Sequence, residues 1–487
     1  MAQKVVVDPV TRIEGHLKVE VEIDGGKVVD ARTSGSLFRG LELIMRGRDP
    51  RDAQQLIQRI CGVCPLAHAT AGTMALDTAF GIEPPHNGRI VRNLIFGSNY
   101  LQSHILHFFH LTALDYVKGP DMAPWRPLYG NDFRLPEATN KAAVDAYIKA
   151  LEIRRKCHEM LALWGGRMPH VQAIVPGGVT QPVDAQKIAE FTWRLAEVKS
   201  FVENVYIPIA TAVTEAYSDW FSLGVGCKSF LAYGGFPTTD AAVGTKHVDR
   251  EKFFKTGIVY ANGTSEAFDP ELVTEQVKYA WFADGIELSP KDAVVKPEAT
   301  KAGAYSWLKA PRYKDMPMEV GPLSRQLVNG TDAITNLGDK AFSVMGRHFA
   351  RAVEALLIAT EMQKWLGELD PSPNAPVCTP HEFKGIEVQG MGLTEGPRGA
   401  LGHWHKFNSS NRTEVYNAVV PTTWNAGPRD DKGVPGPMEQ AIIGVPVADA
   451  TQPVEVLRVI RSMDPCFGCA IHVMTPDKKT IAQFTID

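Results

Sequence analysis

The chain has 487 residues, a length that suits either about three average domains or one large fold. Apolar residues make up 44% and charged residues 22%, which is typical of a globular protein and excludes a disordered chain. The net charge is −4 and no block of Lys or Arg stands out, so we do not expect a nucleic-acid partner.

The N-terminal stretch lacks the basic and apolar regions of an export signal, so we expect export, if any, to depend on a partner. It predicts a β-hairpin instead. Leu17 to Ile23 alternates apolar and charged residues, DGG supplies a turn, and the alternation resumes at Val28. Asp8 to Gly15, before the hairpin, is predicted to be a loop or the entry to a strand.

Two helices are predicted on either side of the sequence CGVC. Asp49 can cap the first helix, Pro50 suits its first turn, and Gly62 interrupts it. Pro65 can begin the second helix, which Gly81 closes.

Longer helical patterns follow, and their apolar residues on several faces predict a central bundle. They cover about Asn87 to Val117, Lys141 to Trp164, Asp184 to Phe221 with a kink at Pro208, and Phe342 to Leu366. The stretch from Asn93 to Leu114 has the length of a membrane span, but it carries many Asn, Ser and His side chains. We therefore expect a helix buried in protein.

The segments outside these helices predict small β structures. Ser222 to Thr335 is rich in Gly and Pro, and strand patterns return from Ile386 onward, including RTEVYNAVVPTTW, before a helix over Val454 to Met463. The fold class expected is α+β, mainly α, with a central bundle of long helices, peripheral β-hairpins and small sheets. No repeat or linker marks a domain boundary.

Seven cysteines are too few for a disulfide framework in a chain of this size. Four of them form two C-x2-C pairs, Cys61 with Cys64 and Cys466 with Cys469. The other three stand alone and are expected to be packed core thiols: Cys157, Cys227 and Cys378.

A C-x2-C turn brings two thiolates to one side of a metal, so two pairs offer four soft ligands that suit zinc, iron or nickel. Because most of the chain lies between the pairs, a shared site would bring the two ends of the chain together. Spacing alone leaves open a structural zinc site, a catalytic or redox metal, or no shared site.

Further motifs surround the pairs. In chain order they are DPVTRIEGHL, FRGLE, RICGVC, HLTALDYV, EGPRGALGHW, AVVPTTWNAGPRD and DPCFGCAIHV. With these blocks the chain resembles the large, catalytic subunit of [NiFe] hydrogenases over most of its length. The resemblance implies reversible heterolytic cleavage of H2 into protons and electrons.

The resemblance also implies a set of metal ligands. Cys61 and Cys466 would bind nickel terminally, and Cys64 and Cys469 would bridge nickel to an iron that carries carbon monoxide and cyanide. Three further ligands are implied for a second ion, magnesium or iron: Glu42, the backbone carbonyl of Ala418, and His472.

Residues around the centre are assigned by the same motifs. Glu14 would receive the proton from Cys466, and Arg398 would lie over the open metal position, tuned by Asp115 and Asp464. The cyanide ligands would contact Pro421 and Thr422, and a hydrogen bond near Cys64 would come from His68.

Simpler interpretations exist for several of these residues. Glu14 could be half of a buried ion pair with an Arg. Asp464, before Pro465, could only form a turn or cap, and Asp115 could only end its helix. Three histidines are expected to be satisfied core residues: His104, His107 and His110.

The resemblance implies partners as well. An iron–sulfur small subunit would accept the electrons, and export with it would place the enzyme in the periplasm or on the outer face of the cytoplasmic membrane, with membrane contact only through the partner. A maturation endopeptidase would cut after His472 and remove residues 473–487, leaving 1–472 as one large domain. The alternatives are a structural tetrathiolate zinc protein, a quinone-oxidoreductase subunit of the same ancestry, which lacks the cysteines, and a scaffold protein.

Overall fold

The computed structural model describes residues 2–128, 130–383 and 385–470. His472 and the segment 473–487, to which the sequence assigns a metal ligand and a removable extension, lie outside the described residues. Within the described ranges the fold is mainly helical with several small antiparallel sheets, in agreement with the helices and small sheets predicted from the sequence.

The helices, in chain order, are α1 Leu41–Met45, α2 Ala53–Ile57, α3 Pro65–Phe80, α4 His86–Ile105, α5 Glu137–Gly165, α6 Ala185–Phe201, α7 Ile207–Ala216, α8 Pro322–Asn329, α9 Asp332–Thr335, α10 Val344–Glu368, α11 Pro421–Ala426, α12 Pro437–Ile442, α13 Val454–Ser462 and α14 Phe467–Ala470. Four of the long ones lie together: α4 packs against α5 and α10, and α6 packs against α5 and α10. No helix in the described part of the chain has both the length and the apolar content needed to cross a bilayer.

The strands are β1 Gln3–Val7, β2 Leu17–Asp24, β3 Lys27–Gly35, β4 Ile174–Val175, β5 Gly178–Val179, β6 Ser229–Ala232, β7 Gly235–Pro237, β8 Lys252–Phe254, β9 Gly257–Tyr260, β10 Ser265–Glu266, β11 Val273–Gln276, β12 Ala310–Tyr313, β13 Val388–Gly396, β14 Gly399–Phe407 and β15 Thr413–Val419. Three-stranded sheets have the orders β1-β2-β3, β10-β9-β6 and β13-β14-β15, and pairs form from β4 with β5, β7 with β8, and β11 with β12.

The predicted N-terminal hairpin is present as β2 and β3, and alternate residues of β2 are buried as its pattern requires. The sequence did not indicate β1, which pairs with β2 from Gln3↔Ile23 to Val7↔Val19. Asp8 to Gly15 is the connection between β1 and β2, and it carries Glu14 to the metal-ligand region described below.

Two of the predicted long helices contain π-helical turns. Leu106–Thr112 continues α4 with seven π-helical residues, and Val202–Tyr206 joins α6 to α7 just before Pro208. Since a Pro lacks the N–H that an α-helix needs at that point, the wider turn accommodates Pro208 within a continuous helical segment.

The strand predicted over RTEVYNAVVPTTW is wrong at its C-terminal end. β15 stops at Val419, and Pro421 begins the short helix α11. Pro is favoured in the first turn of a helix because its missing N–H would have no partner there. This turn brings Pro421 and Thr422 to the region of the cysteines.

Helix α3 is fixed by close packing on the sheet β13-β14-β15. Gly390 and Gly392 of β13 face it, and an added Cβ would lie 1.8 Å from the Ala75 carbonyl oxygen and 1.9 Å from that of Ala71. Glycine is therefore required for this approach. The contact sets the position of Pro65, the first residue of α3, and of Cys64 immediately before it.

Candidate metal centre

The first cysteine arm, residues 58–65, is formed by local structure. A 3₁₀ turn ends at Ile60, Cys61 is extended, and Pro65 starts α3, as predicted. The sulfur of Cys61 accepts hydrogen bonds from the backbone N–H groups of Val63 at 3.2 Å and Cys64 at 3.3 Å. The turn between the two cysteines therefore points both sulfurs to one side.

The second cysteine arm, residues 464–470, is held by distant segments. The Cys466 N–H donates to the Thr422 hydroxyl at 2.8 Å, and the Phe467 N–H donates to the Glu14 carbonyl at 2.8 Å. Glu14 and Cys466 form an isolated parallel bridge. Gly15 follows with φ 82°, and a Cβ there would lie 2.5 Å from the Gly468 nitrogen, so only glycine fits.

The structure brings all four paired cysteines together, and each is at most 5% exposed. Their sulfurs lie within 4.8 Å of one another. The separations are 3.4 Å for Cys61–Cys466, 3.1 Å for Cys64–Cys469 and 2.8 Å for Cys466–Cys469. Four converging thiolates are the donor set that nickel, iron or zinc takes, so these residues fit a soft transition metal.

Burial raises the pKa of the Cys466 and Cys469 thiols, and their mutual contacts add to the effect for Cys466. Four thiolates crowded in an apolar interior repel one another. A bound cation would offset this repulsion, because metal ligands must be deprotonated to bind.

Glu14 lies directly against the second arm. Its Oε2 accepts from the Cys466 sulfur at 3.0 Å and from the Gly468 N–H at 2.7 Å. Burial, with the negative charge of Cys61, raises the pKa of this carboxyl, and its hydrogen bonds only partly offset them. Within the described ranges no Arg or Lys forms a close ion pair with Glu14, although the charge of Arg398 lowers its pKa from a greater distance.

Arg398 projects toward the same sulfurs and pairs with Asp464 at 3.0 Å. Burial opposes its charge, but the Asp464 carboxylate and the sulfurs of Cys466, Cys64 and Cys61 raise the Arg398 pKa further above its usual value. A fixed positive charge thus faces the four-cysteine group.

Asp115 lies elsewhere. It pairs with Arg461 of α13 at 2.8 Å and with Arg12, and the Arg458 guanidinium donates to its backbone carbonyl. It does end its helical segment, as the simpler interpretation held, and its charge holds α13 rather than contacting Arg398 directly.

A small cavity of about 10 Å³, room for about one water-sized molecule, adjoins Cys64, Cys466 and Cys469. Its other lining residues are Ala67, His68, Gly396, Pro397, Arg398, Leu401, Pro421 and Thr422. The structure therefore places Pro421, Thr422 and His68 at one pocket, as a shared role of these residues requires.

His68 is fully enclosed, and its Nδ1 shares a hydrogen bond of 3.1 Å with His403, whose own Nδ1 contacts the Tyr416 hydroxyl at 2.7 Å. Burial lowers the pKa of His68 to about 4, so this imidazole is neutral at ordinary pH. His403 is a contributor that the sequence pattern did not indicate.

Glu42 is buried on α1, and its Oε1 accepts from the Ala418 N–H at 3.1 Å. Lys309 lies 3.9 Å from the same oxygen and also pairs with Glu275, whose pKa burial raises to about 7. Glu42 and Ala418 are thus neighbours, but their contact is through the Ala418 N–H and not through the carbonyl that the resemblance implies as a ligand. Lys309 and Glu275 were missed because they lie in the loop-rich region, where no local pattern marks them.

Arg39, in the motif FRGLE, was also missed. Its guanidinium donates to the backbone carbonyls of Ile60, at 2.7 Å, and Gly468, at 3.1 Å. The motif itself was the available signal, but one residue of a matched block reveals no long-range contact.

The three histidines expected to be satisfied core residues are buried or nearly so, and in the described structure each has a partner at Nε2 and none at Nδ1. His104 contacts Glu354 at 2.9 Å, and His107 and His110 contact the carbonyls of Arg461 and Tyr147. Of the isolated cysteines, Cys157 is buried as expected, whereas the other two are only partly buried: Cys227 and Cys378.

Comparison with known proteins gives a consistent result. A family model described as nickel-dependent hydrogenase matches residues 39–123 and 117–472, and a second, described as HoxL-like, matches residues 4–34. The periplasmic [NiFeSe] hydrogenase large subunit of Desulfomicrobium baculatum is 48% identical, covering 97% of this chain and 95% of that protein. The hydrogenase-2 large chain of Escherichia coli K12 is 31% identical, covering 100% of both.

Solved structures agree. The Ni-Fe-Se hydrogenase of D. vulgaris Hildenborough in the reduced state matches with a TM-score of 0.92 and 47% identity, over 97% of this chain and 100% of that chain. The reduced, active Ni-Fe-Se hydrogenase of Desulfomicrobium baculatum matches with a TM-score of 0.90 and 48% identity, over 96% of this chain and 100% of that chain. The names given to both solved structures include selenium. In this chain all four candidate ligands are cysteines.

The chain therefore belongs to the nickel-dependent hydrogenase family. Within it, the chain is the large, catalytic subunit of a hydrogenase, an oxidoreductase that acts on hydrogen. The resemblance found in the sequence is confirmed, and neither a zinc protein nor a quinone-oxidoreductase subunit is favoured.

Proposed function

We propose that the four cysteines hold a nickel–iron pair, with Cys61 and Cys466 binding nickel alone and Cys64 and Cys469 bridging the two metals. The observation that carries this proposal is the convergence of four buried sulfurs within 4.8 Å from both ends of the chain. When bound, such metals supply an open, electron-accepting position at which H2 is split heterolytically.

The iron would carry carbon monoxide and cyanide. Support comes from the small cavity beside Cys64 and Cys469, whose wall includes Pro421 and Thr422 at the start of α11. Backbone and hydroxyl groups there can contact small polar ligands, although the Thr422 hydroxyl already accepts from the Cys466 N–H. Infrared spectroscopy of the purified enzyme would reveal the stretching bands of these ligands.

The proton released from H2 would pass from the Cys466 sulfur to Glu14. The 3.0 Å contact between the two supports this transfer, because a proton relay requires hydrogen-bond distance. The raised pKa of Glu14 favours a carboxyl that can take up a proton and pass it on.

Arg398 would stabilise negative charge on the reacting side of the sulfurs. Its pairing with Asp464 fixes the guanidinium, and its full burial strengthens the field that it exerts. Asp115 would act indirectly, because its contacts with Arg461 hold the helix α13 that precedes the second cysteine arm.

A second ion, magnesium or iron, would be bound by Glu42, the Ala418 carbonyl and His472. The meeting of Glu42 with Ala418 supports the first two, and oxygen-rich ligand sets suit magnesium.

Electrons would leave through an iron–sulfur small subunit. The names of the relatives, which are large subunits or large chains, imply such a partner. Among the described residues the four paired cysteines are the only cluster of three or more His, Cys, Asp or Glu side chains arranged to hold a metal, so no further cysteine cluster there could carry the electrons. Because one relative is named periplasmic, we propose the periplasm or the outer face of the cytoplasmic membrane as the location, reached together with the small subunit.

Maturation would end with an endopeptidase that cuts after His472 and removes residues 473–487, leaving 1–472 as one domain. The position of His472 supports this cut, since it follows Cys469 by three residues and ends the motif DPCFGCAIH. Intact mass of nickel-loaded protein tests the cut, and an active enzyme that still ends at Asp487 would contradict it.

Metal analysis and activity together test the main proposal. The complex of this chain with its small subunit should contain about one nickel per large subunit and oxidise H2 with a viologen dye as acceptor. Zinc in place of nickel, with no hydrogen oxidation, would establish the structural alternative instead.

A further inference from the structure

One guanidinium connects the two cysteine arms. Arg39 Nη1 donates both to the Ile60 carbonyl, just before Cys61, and to the Gly468 carbonyl, just before Cys469. Its Nη2 donates to the Arg59 carbonyl. Arg39 therefore contacts the backbone next to one cysteine of each pair.

The other contacts of the second arm involve groups other than the Gly468 carbonyl, including the Asp464 carboxylate, which pairs with Arg398. The N–H of Cys466 donates to Thr422. The Cys466 thiol and the N–H groups of Phe467 and Gly468 donate to Glu14. Arg39 is the residue that ties the Gly468 carbonyl to the first arm. Without it, the backbone before Cys469 would lose its hydrogen-bonded bridge to the backbone before Cys61.

Arginine suits this position because its planar fork offers several N–H donors in fixed directions, so one side chain can bind three carbonyls at once. Its backbone is also fixed. Gly40, which follows, adopts φ 77° at the start of α1, and Glu42 in that helix is buried against Ala418.

The positive charge of Arg39 reaches the site as well. The pKa of His68 is lowered mainly by burial and is raised by the charge of Cys61. The charge of Arg39 lowers this pKa further.

We propose that Arg39 is a positioning residue that fixes the spacing between the two cysteine pairs and so retains the bound metal. This inference rests on the four-cysteine metal centre proposed above. It assigns Arg39 no contact with hydrogen or with the metals.

Nickel release is the measurement that tests it. The nickel-loaded complex with its small subunit is mixed anaerobically with excess EDTA, and the nickel lost from the protein is followed over time. We expect Arg39→Gln to release nickel about 10- to 100-fold faster than the unmodified enzyme, the usual effect of losing a residue that orients metal ligands. Arg39→Lys keeps the charge but not the fork, so its rate should lie between the two.

Arg92→Gln is the matched control. Arg92 also donates to two backbone carbonyls, of Gly178 at 3.0 Å and Val175 at 2.6 Å, and pairs with Asp77, but the cysteine pairs are not among its partners. It should lower the thermal unfolding temperature without changing nickel release. If Arg39 had a purely structural role, Arg39→Gln would likewise lower the unfolding temperature and leave the rate of nickel release unchanged.

The outcomes are distinct. Release from Arg39→Gln at the unmodified rate would overturn the inference. If that variant does not accumulate, Arg39→Lys decides the question, and release at the unmodified rate would again overturn it. An unmodified complex without nickel would refute the four-cysteine centre itself.

Discussion

In the first cysteine arm the Cys61 sulfur is oriented by its neighbours in sequence, whereas in the second arm the backbone and sulfur of Cys466 are bound by residues from distant parts of the chain. Distant residues reach the first arm as well, but at backbone carbonyls, as Arg39 does at Ile60 and Asn99 at Val63. Cys61 accepts hydrogen bonds from Val63 and Cys64, and α3 begins at the next residue. Cys466 depends instead on Thr422 and on the segment around Glu14.

This difference indicates that one half of the metal centre is built locally and the other half is completed by tertiary contacts. Changes to the second arm should therefore affect metal retention and catalysis, and changes to the first arm's local structure should affect mainly stability. Four substitutions test that contrast.

The largest effect is expected for Glu14→Gln. The amide keeps the shape of the side chain but cannot relay a proton from Cys466, so hydrogen oxidation should fall by about 10²–10⁴-fold while nickel and iron content stay unchanged. Dye reduction and metal analysis provide the two measurements. Glu22→Gln, on the exposed side of β2, is the control, and full turnover in Glu14→Gln would exclude the relay.

Gly15→Ala should disturb the second arm by steric contact. The new Cβ would lie 2.5 Å from the Gly468 nitrogen in a backbone with φ 82°, and the two penalties together should lower the free energy of unfolding by about 2–4 kcal/mol. Nickel content should fall too. Gly26→Ala has a similar φ of 75° but no atom within 4 Å, so it isolates the backbone strain. Equal nickel content in both variants would contradict the steric argument.

Thr422→Val removes the acceptor of the buried Cys466 N–H. Leaving that donor unpaired should cost about 1–3 kcal/mol in chemical denaturation and speed nickel release into EDTA. Thr422→Ser retains the hydroxyl and should behave like the unmodified enzyme. If Val and Ser give the same result, the hydrogen bond does not hold the arm.

The smallest effect is expected in the first arm. Pro65→Ala should lower the free energy of unfolding by about 0.4–1 kcal/mol, because the unfolded chain gains freedom, and leave nickel release unchanged. Denaturant titration and the EDTA assay measure both. Faster nickel release, comparable with that of Thr422→Val, would remove the contrast between the arms.

Local sequence signals predicted the elements that local interactions form. Pro65 and Gly81 mark the two ends of α3, where Gly81 adopts φ 62°, and the alternation in β2 gives its buried face. The cysteine spacing likewise predicted each pair as a local turn, whereas it was the resemblance to a family that predicted a single centre for both pairs.

Contacts between distant segments could not be predicted in the same way. Asp115 binds Arg461 and Arg12, and Arg39 binds backbone carbonyls, which leave no side-chain signature in the sequence. The π-helical turns also escaped detection, since they preserve the apolar pattern of an ordinary helix while changing only its hydrogen bonding. The start of α11 at Pro421 was misassigned because the strand-like sequence of β15 continues without a break up to this proline.

The parallel bridge between Glu14 and Cys466 joins residues whose side chains are 452 positions apart in sequence. A contact of this kind has a high entropic cost of closure, so it forms only after most of the intervening chain has folded. A metal that needs all four thiolates would bind the native state and not earlier states, and its binding energy would stabilise the complete fold by mass action. Loading of this centre would thus also select for correctly folded chains.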